Sequence, residues 1–232
     1  MIHKNVRRLD DMDIMEAMQA RHSVRSYTKK PLPAELVAKL NDEIAACNDE
    51  GGLHIQLVTN EPQAFDCRLA RYGKFSGVAN YLALVGKNEP NLAEKCGYYG
   101  ERLVLFAQQL GLNSCWVGLT YANVAGAFEV APDEKLVLVV ALGFGETQGA
   151  AHKSKPFAKI AAVEGEVPEW FKKGVAAALL APTALNQQKF NFVLKGRVVR
   201  ATPGLGFYTK VDLGIVKYHF EIAAGKENFD WA

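Results

Sequence analysis

Residues 92–119 read LAEKCGYYGERLVLFAQQLGLNSCWVGL, and the fold class turns on this stretch. Residues 92–110 predict a long helix that stops at Gly111, a residue suited to a C-terminal cap. Residues 111–119 then read as a short strand ending in glycine. Further on, 136–142 is a continuous apolar run closed by Gly143, the pattern of a central strand. A long helix thus passes into one strand and on to another without a second helix between them.

Working outward, the upstream chain predicts two strands, 53–58 with alternating burial and 81–85 more deeply buried. Before them come two helices. Ile14, Met15 and Met18 mark the first, and Leu36, Val37, Leu40 and Ile44, introduced by Pro31 and Pro33, mark the second. Downstream, 145–155 is small and polar, a connection between halves. A helix at 170–180, a loop at 181–188, strands at 190–194 and 198–199, a turn at Pro203-Gly204 and a last helix at 211–224 complete the order. Without strict βαβ alternation, this is an α+β chain with a mostly antiparallel central sheet flanked by helices.

The second half echoes the first. A helix and strand after Pro31 match a helix and strand after Pro168 in order. The interval from Gly100 to Gly111, closed by Trp116, matches Gly214 to Gly225, closed by Trp231. Two amphipathic helices ending in glycine also match by chance, so both chance and duplication stand at this level. Duplication implies two pseudo-symmetric halves, 1–150 and 151–232, packed as one compact unit.

Composition excludes several classes. The formal net charge is +2 and the basic residues are scattered, which argues against nucleic acid and anionic membranes as partners. No apolar run approaches the roughly 20 residues of a membrane span. The start, MIHKNVRRLDDMDIM, has no apolar h-region of a secretory signal, so a cytoplasmic protein is expected. Cys47, Cys67, Cys96 and Cys115 form no C-x-x-C pair and the histidines no H-x-x-x-H, so neither zinc nor dithiol chemistry is indicated.

Three segments carry candidate chemistry. In Arg21-His22-Ser23-Val24-Arg25, two guanidiniums, a hydroxyl and an imidazole can converge on a phosphate. On composition alone, the segment reads more readily as a solvated basic loop. Residues 181–188, APTALNQQ, offer a hydroxyl, amides and main-chain groups to a neutral heterocycle or a ribityl chain, or merely connect a helix to a strand. Residues 111–119 can bring main-chain N–H groups against a flat ring.

Together these segments resemble the nitroreductase family of FMN-dependent oxidoreductases. The resemblance rests on R-H-S-x-R after an N-terminal helix, A-P-[ST]-x-x-N-x-Q before a strand, and G-L-x-[ST]-C-W-V-G after a long helix. It runs from Ile14 to Trp231. One departure is large: in typical members the A-P-S-x-x-N-x-Q loop follows the first two helices, where this chain has Cys47 to Gly52, and the matching loop lies in the second half. In the typical dimer the phosphate-binding arginines of one subunit meet that loop of the other. The resemblance therefore implies a dimer folded into one chain, acting as a monomer with an internal pseudo-dimer.

The resemblance also implies residue roles. Arg21, Ser23 and Arg25 bind the FMN phosphate with His22 in support, and Lys153 and Lys155 approach the same end. Pro182, Thr183, Ala184 and Asn186 line the ribityl and isoalloxazine edge. The main chain near Val117 and Gly118 faces the reactive flavin nitrogen, and Lys74, in Tyr72-Gly73-Lys74, contacts the pyrimidine side. Electrons would pass from NAD(P)H to small organic acceptors such as nitroaromatics or quinones. No catalytic side chain is expected, because the flavin carries the chemistry.

An alternative of another class, motivated by the degenerate segment 47–52, is a flavin carrier or redox sensor without efficient turnover. Gly143-Phe144-Gly145 is no dinucleotide fingerprint, since the next glycine, Gly149, falls one position late. Pro203-Gly204-Leu205-Gly206 reads as a turn. His219, between Tyr218 and Phe220, reads as a packed or hydrogen-bonded histidine rather than a catalyst.

Overall fold

The computed structural model describes residues 12–232; the segment 1–11, which carries most of the reading of a chain start without a leader, lies outside them. Asp13 opens helix α1 (Ile14–Ala20) with a capping box, its carboxylate accepting from the Glu16 amide while Glu16 accepts from the Asp13 amide. Pro33 precedes α2 (Ala34–Gly51). The first half continues with β1 (Gln56–Val58), α3 (Arg68–Tyr72), β2 (Asn80–Lys87), α4 (Leu92–Gln109), β3 (Asn113–Val117) and β4 (Glu134–Gly143). The second half comprises β5 (Ala161–Val163), α5 (Glu169–Ala178), β6 (Phe190–Lys195), β7 (Val198–Pro203), α6 (Thr209–Ala224) and β8 (Asp230–Trp231).

The strands form two sheets rather than one. The first, in order β1-β2-β4-β3, is antiparallel throughout. The second, β5-β6-β7-β8, pairs β6 with β7 antiparallel and adds a short parallel strand at each edge. Both edge strands are too short to leave a period in the sequence, and so is the one-turn α3.

Helix α4 lies on the first sheet and α6 on the second, and the two helices pack on each other between the sheets. Leu82, Leu84, Leu103, Leu138 and Val140 from one side meet Phe171, Phe190, Phe192, Val216 and Phe220 from the other in one continuous core. The second sheet turns Phe190, Phe192 and Leu194 inward and Asn191 and Lys195 outward, the alternation of a sheet with one wet face. Among the described residues no helix is long and apolar enough to cross a membrane.

The helix crossing is reciprocal. A Cβ on Gly97 would fall 2.0 Å from the Val211 carbonyl oxygen, and a Cβ on Gly214 would fall 2.0 Å from the Glu94 carbonyl oxygen. Moving Glu94 and Gly97 forward by 117 positions gives Val211 and Gly214, so the two contacts are one contact seen from either side. The same shift carries the starts of α4 and β3, Leu92 and Asn113, onto Thr209 and Asp230, the starts of α6 and β8. It carries Tyr81 and Gly86 of β2 onto Val198 and Pro203, the two ends of β7. The glycines that meet are Gly97 and Gly214, three residues from the Gly100–Gly214 match suggested by spacing to the next glycine.

The halves differ where the chain is longest. Strands β6 and β7 are joined by Gly196 and Arg197 alone, whereas residues 59–79, including α3, separate β1 from β2. That long connection covers the outer face of the first sheet with Phe65, Phe75 and Val78, which pack with Tyr81, Val117 and Val139.

Candidate functional site

The segment 21–27 runs extended beside the edge of β3. The Val24 amide donates to the Ser114 carbonyl at 3.0 Å, the Ser76 amide to Arg25 at 3.0 Å and the Tyr27 amide to Ser76 at 2.9 Å. In an extended chain alternate side chains share a side. Val24 accordingly enters the core on one side, while Ser23 and Arg25 reach a cavity of about 450 Å³ on the other.

That cavity lies between the halves. The first half supplies Ser23, Arg25, Gly73, Cys115, Val117 and Gly118; the second supplies Pro182, Thr183, Ala184, Tyr208 and Asp212. Its size is that of a small-molecule site, and its walls are mainly apolar with a few converging polar groups. At the mouth stand Tyr72, Leu185 and Phe207, exposed at 86%, 95% and 76%.

The 181–188 loop is held firmly. Leu185, Asn186 and Gln188 have φ of 53°, 51° and 44°, a costly backbone for side-chain-bearing residues. The Gln188 amide donates to Thr183 Oγ1 at 3.1 Å, and the Ala184 amide to Asp212 Oδ1 at 2.9 Å. Gln187 Nε2 donates to Asp212 Oδ2 at 2.9 Å and to the Phe207 carbonyl at 2.7 Å. Asp212 is buried, and burial, opposed by the Ala184 and Gln187 donors, pushes its carboxyl up to about 6.

Tyr208, at the start of α6, donates its hydroxyl to the Gly118 carbonyl at 2.9 Å. A Cβ on Gly118 would lie 2.5 Å from the Tyr208 ring. Glycine is thus required there by a neighbouring side chain of the protein itself.

Arg21 lies behind the cavity wall, with its guanidinium among the charges that act on Cys115. It is 3% exposed, its Nε stands 3.8 Å from Glu101 Oε1, and neither Nε nor Nη1 has a hydrogen-bond partner. Burial pulls the guanidinium down from its ordinary range, opposed by Glu101. Burial also pushes the Cys115 thiol up, against the pull of Arg25, Ser23 and Arg21.

Of the residues singled out in the sequence, Ser23, Arg25, Val117, Gly118, Pro182, Thr183 and Ala184 line this one cavity. Others stand outside its lining. The His22 side chain packs by Gly149, where an added Cβ would meet its Cβ at 2.8 Å. Lys74 is exposed with φ 61°. Asn186 Nδ2 and Gln188 Nε2 both donate to the Lys153 carbonyl, at 3.1 and 2.8 Å. Lys155 Nζ donates to the carbonyls of Gln187 and Gln188 at 2.8 and 2.9 Å. Lys153, Lys155 and Asn186 therefore brace the loop from behind.

Asp212 and Tyr208 were not anticipated. Val211, Asp212 and Ile215 form one face of α6 toward the cavity with Tyr208 just before the helix, and the usable signal is an acid among apolar residues at helical spacing. Among the described residues no group of His, Cys, Asp or Glu could hold a metal ion, and all four cysteines are free.

A search of curated proteins finds no match to the chain. The family described as "Putative TM nitroreductase" matches residues 13–224. A "putative nitroreductase" of Thermotoga maritima superposes with a TM-score of 0.63 at 20% identity, covering 96% of this chain and 88% of its own. Two further structures of that description, from Exiguobacterium sibiricum and a Desulfovibrio desulfuricans subspecies, were solved in complex with FMN. The first gives a TM-score of 0.53 at 14% identity, over 64% of this chain and 95% of its own. The second gives 0.53 at 16%, over 68% and 99%. At these identities the likeness is one of fold.

Proposed function

Since the chain belongs to the nitroreductase family, we propose that it is an FMN-dependent oxidoreductase passing electrons from NAD(P)H to small organic acceptors such as nitroaromatics or quinones. The observation that carries this reading is the cavity itself. Ser23 and Arg25, Val117 and Gly118, and Pro182, Thr183 and Ala184, from three segments distant in sequence, meet there. The orphaned Nε and Nη1 of buried Arg21 fit an anion that completes them, as a phosphate would.

In this reading Arg21, Ser23 and Arg25 hold the phosphate end, and the segment braced by Lys153 and Lys155 supports it through the loop. Thr183 and Ala184 border the ring, with Asn186 fixing the loop that presents them. The main chain of Val117 and Gly118 faces the ring's reactive edge. FMN, when bound, supplies the centre that accepts and returns electrons. The protein positions it, lends positive charge at one end and encloses it between apolar walls; no side-chain acid or base is assigned. Tyr72, Leu185 and Phe207 stand where an acceptor enters.

The same chain acts as its own dimer partner. Support comes from the shift of 117 residues that relates β2, α4 and β3 to β7, α6 and β8, and from the reciprocal Gly97–Gly214 crossing. The FMN-bound relatives cover about two thirds of this chain with nearly all of their own. Only one complete site results, because the second half has no counterpart of residues 59–79.

The test is the visible spectrum of the purified protein, before and after FMN and then NADH or NADPH without oxygen. Flavin bands that bleach support the enzyme. Bands that no nicotinamide bleaches favour a flavin carrier, and a protein that cannot take up FMN refutes both.

A further inference from the structure

Behind Arg21 lies a polar cluster sealed from water. Glu101 of α4 and His219 of α6 are both fully buried, with Glu101 Oε1 2.9 Å from His219 Nε2. His219 Nδ1 stands 3.0 Å from the Ala177 carbonyl oxygen, and Trp116 Nε1 donates to Glu101 Oε2 at 3.0 Å.

The hydrogen bonds fix the proton count. A carbonyl only accepts, so Nδ1 of His219 carries a hydrogen. Nε2 and Oε1 cannot face each other with two lone pairs, so one proton lies between them. Whether it resides on nitrogen or oxygen, the His219–Glu101 pair sums to zero charge. Glu101 therefore does not neutralise Arg21, whose Nε is 3.8 Å away and makes no hydrogen bond. One positive charge remains buried, on the side chain that precedes cavity-lining Ser23 and Arg25 in the same extended segment.

We propose that His219 is a positioning residue for the phosphate end of the cofactor: by sharing a proton with Glu101 it keeps that carboxylate from quenching Arg21, and so reserves the Arg21 charge for the ligand's phosphate. The inference rests on the assignment of the cavity to FMN. The cluster has no twin in the other half, since the shift of 117 takes Glu101 to Tyr218 and brings His219 back to Arg102. It therefore serves one site. Trp116, which both lines the cavity and donates to Glu101, ties the cluster to the cavity wall.

The experiment compares two flavins. FMN-free protein is titrated with FMN and with riboflavin, which lacks the phosphate, following flavin fluorescence. His219→Phe should lower the ratio of FMN to riboflavin affinity by about tenfold or more, with riboflavin binding little changed. His219→Gln, closer in shape and unable to share an ionisable proton, should act in the same direction if the phenylalanine variant does not fold. Adding Glu101→Gln to either should restore the ratio, because an amide cannot quench Arg21; alone it should leave the ratio undiminished.

A ratio that stays constant in the His219 variants, or both affinities falling together, would overturn the proposal and leave His219 a packing residue. A ratio lowered by Glu101→Gln alone would also overturn it, by showing that Arg21 needs the carboxylate. Wild-type protein that binds neither flavin would instead refute the assignment of the cavity.

Discussion

The Tyr208 hydroxyl meets the Gly118 carbonyl at 2.9 Å across the cavity, joining the residue before α6 to the residue after β3 and so the second half to the first. The contact closes the cavity on one side and explains why position 118 has no side chain.

Gly118→Ala should push the Tyr208 ring aside, break this hydrogen bond and weaken FMN binding. Tyr208→Phe, which loses only the hydroxyl, should cost about 0.5–1.5 kcal/mol of stability. Thermal unfolding and flavin titration of the two variants check this. A Gly118→Ala protein that binds FMN normally would show that the approach is not needed.

Arg25→Ala should weaken FMN binding by about 1.5–3 kcal/mol, the loss of a charge-assisted contact, with little effect on folding because its side chain faces the cavity and solvent. Arg21→Ala should weaken binding similarly, since it removes the buried positive charge behind that segment. Unchanged FMN affinity in both would remove the segment from the phosphate site.

Asp212 gives a pH signature. Its folded pKa, about 6, lies above the ordinary 3.8, so the folded state binds the extra proton between those values. This carboxyl therefore costs stability above pH 6, and the cost vanishes as pH falls toward 4. Asp212→Asn removes the dependence. The variant's stability relative to wild type should rise from pH 4 to pH 7, by about 1–3 kcal/mol. Denaturation midpoints across that range measure the difference; a constant gap would mean that Asp212 ionises as freely in the folded chain as in the unfolded one.

Gly97→Ala and Gly214→Ala should each destabilise strongly, by about 3 kcal/mol or more, because the added methyl meets backbone on the facing helix. The double variant should cost less than the sum, since one widened crossing accommodates both methyls. Strict additivity would argue that the two glycines do not share one contact.

Much of this was legible beforehand. Helix α4, its end before Gly111 and the apolar run of β4 carried strong local signals, and so did the three segments that line the cavity. What was hidden is short or remote. Strands β5 and β8 have three and two residues, and a period cannot show in so few. Asp212 looks like any acid in the first turn of a helix until Ala184 and Gln187 are brought to it. His22, Asn186, Lys153 and Lys155 sit within or beside the motifs that line the cavity, but their side-chain directions depend on packing that the spacing does not encode. The glycine echo pointed to Gly100, whereas the close approach selects Gly97, because only the facing backbone decides which position must lack a side chain.

The most direct test of the central claim, one flavin site built from both halves of a single chain, is native mass spectrometry of the FMN-saturated protein. The account predicts one chain carrying one FMN. Two FMN per chain, or FMN retained only by a dimer of chains, would contradict it.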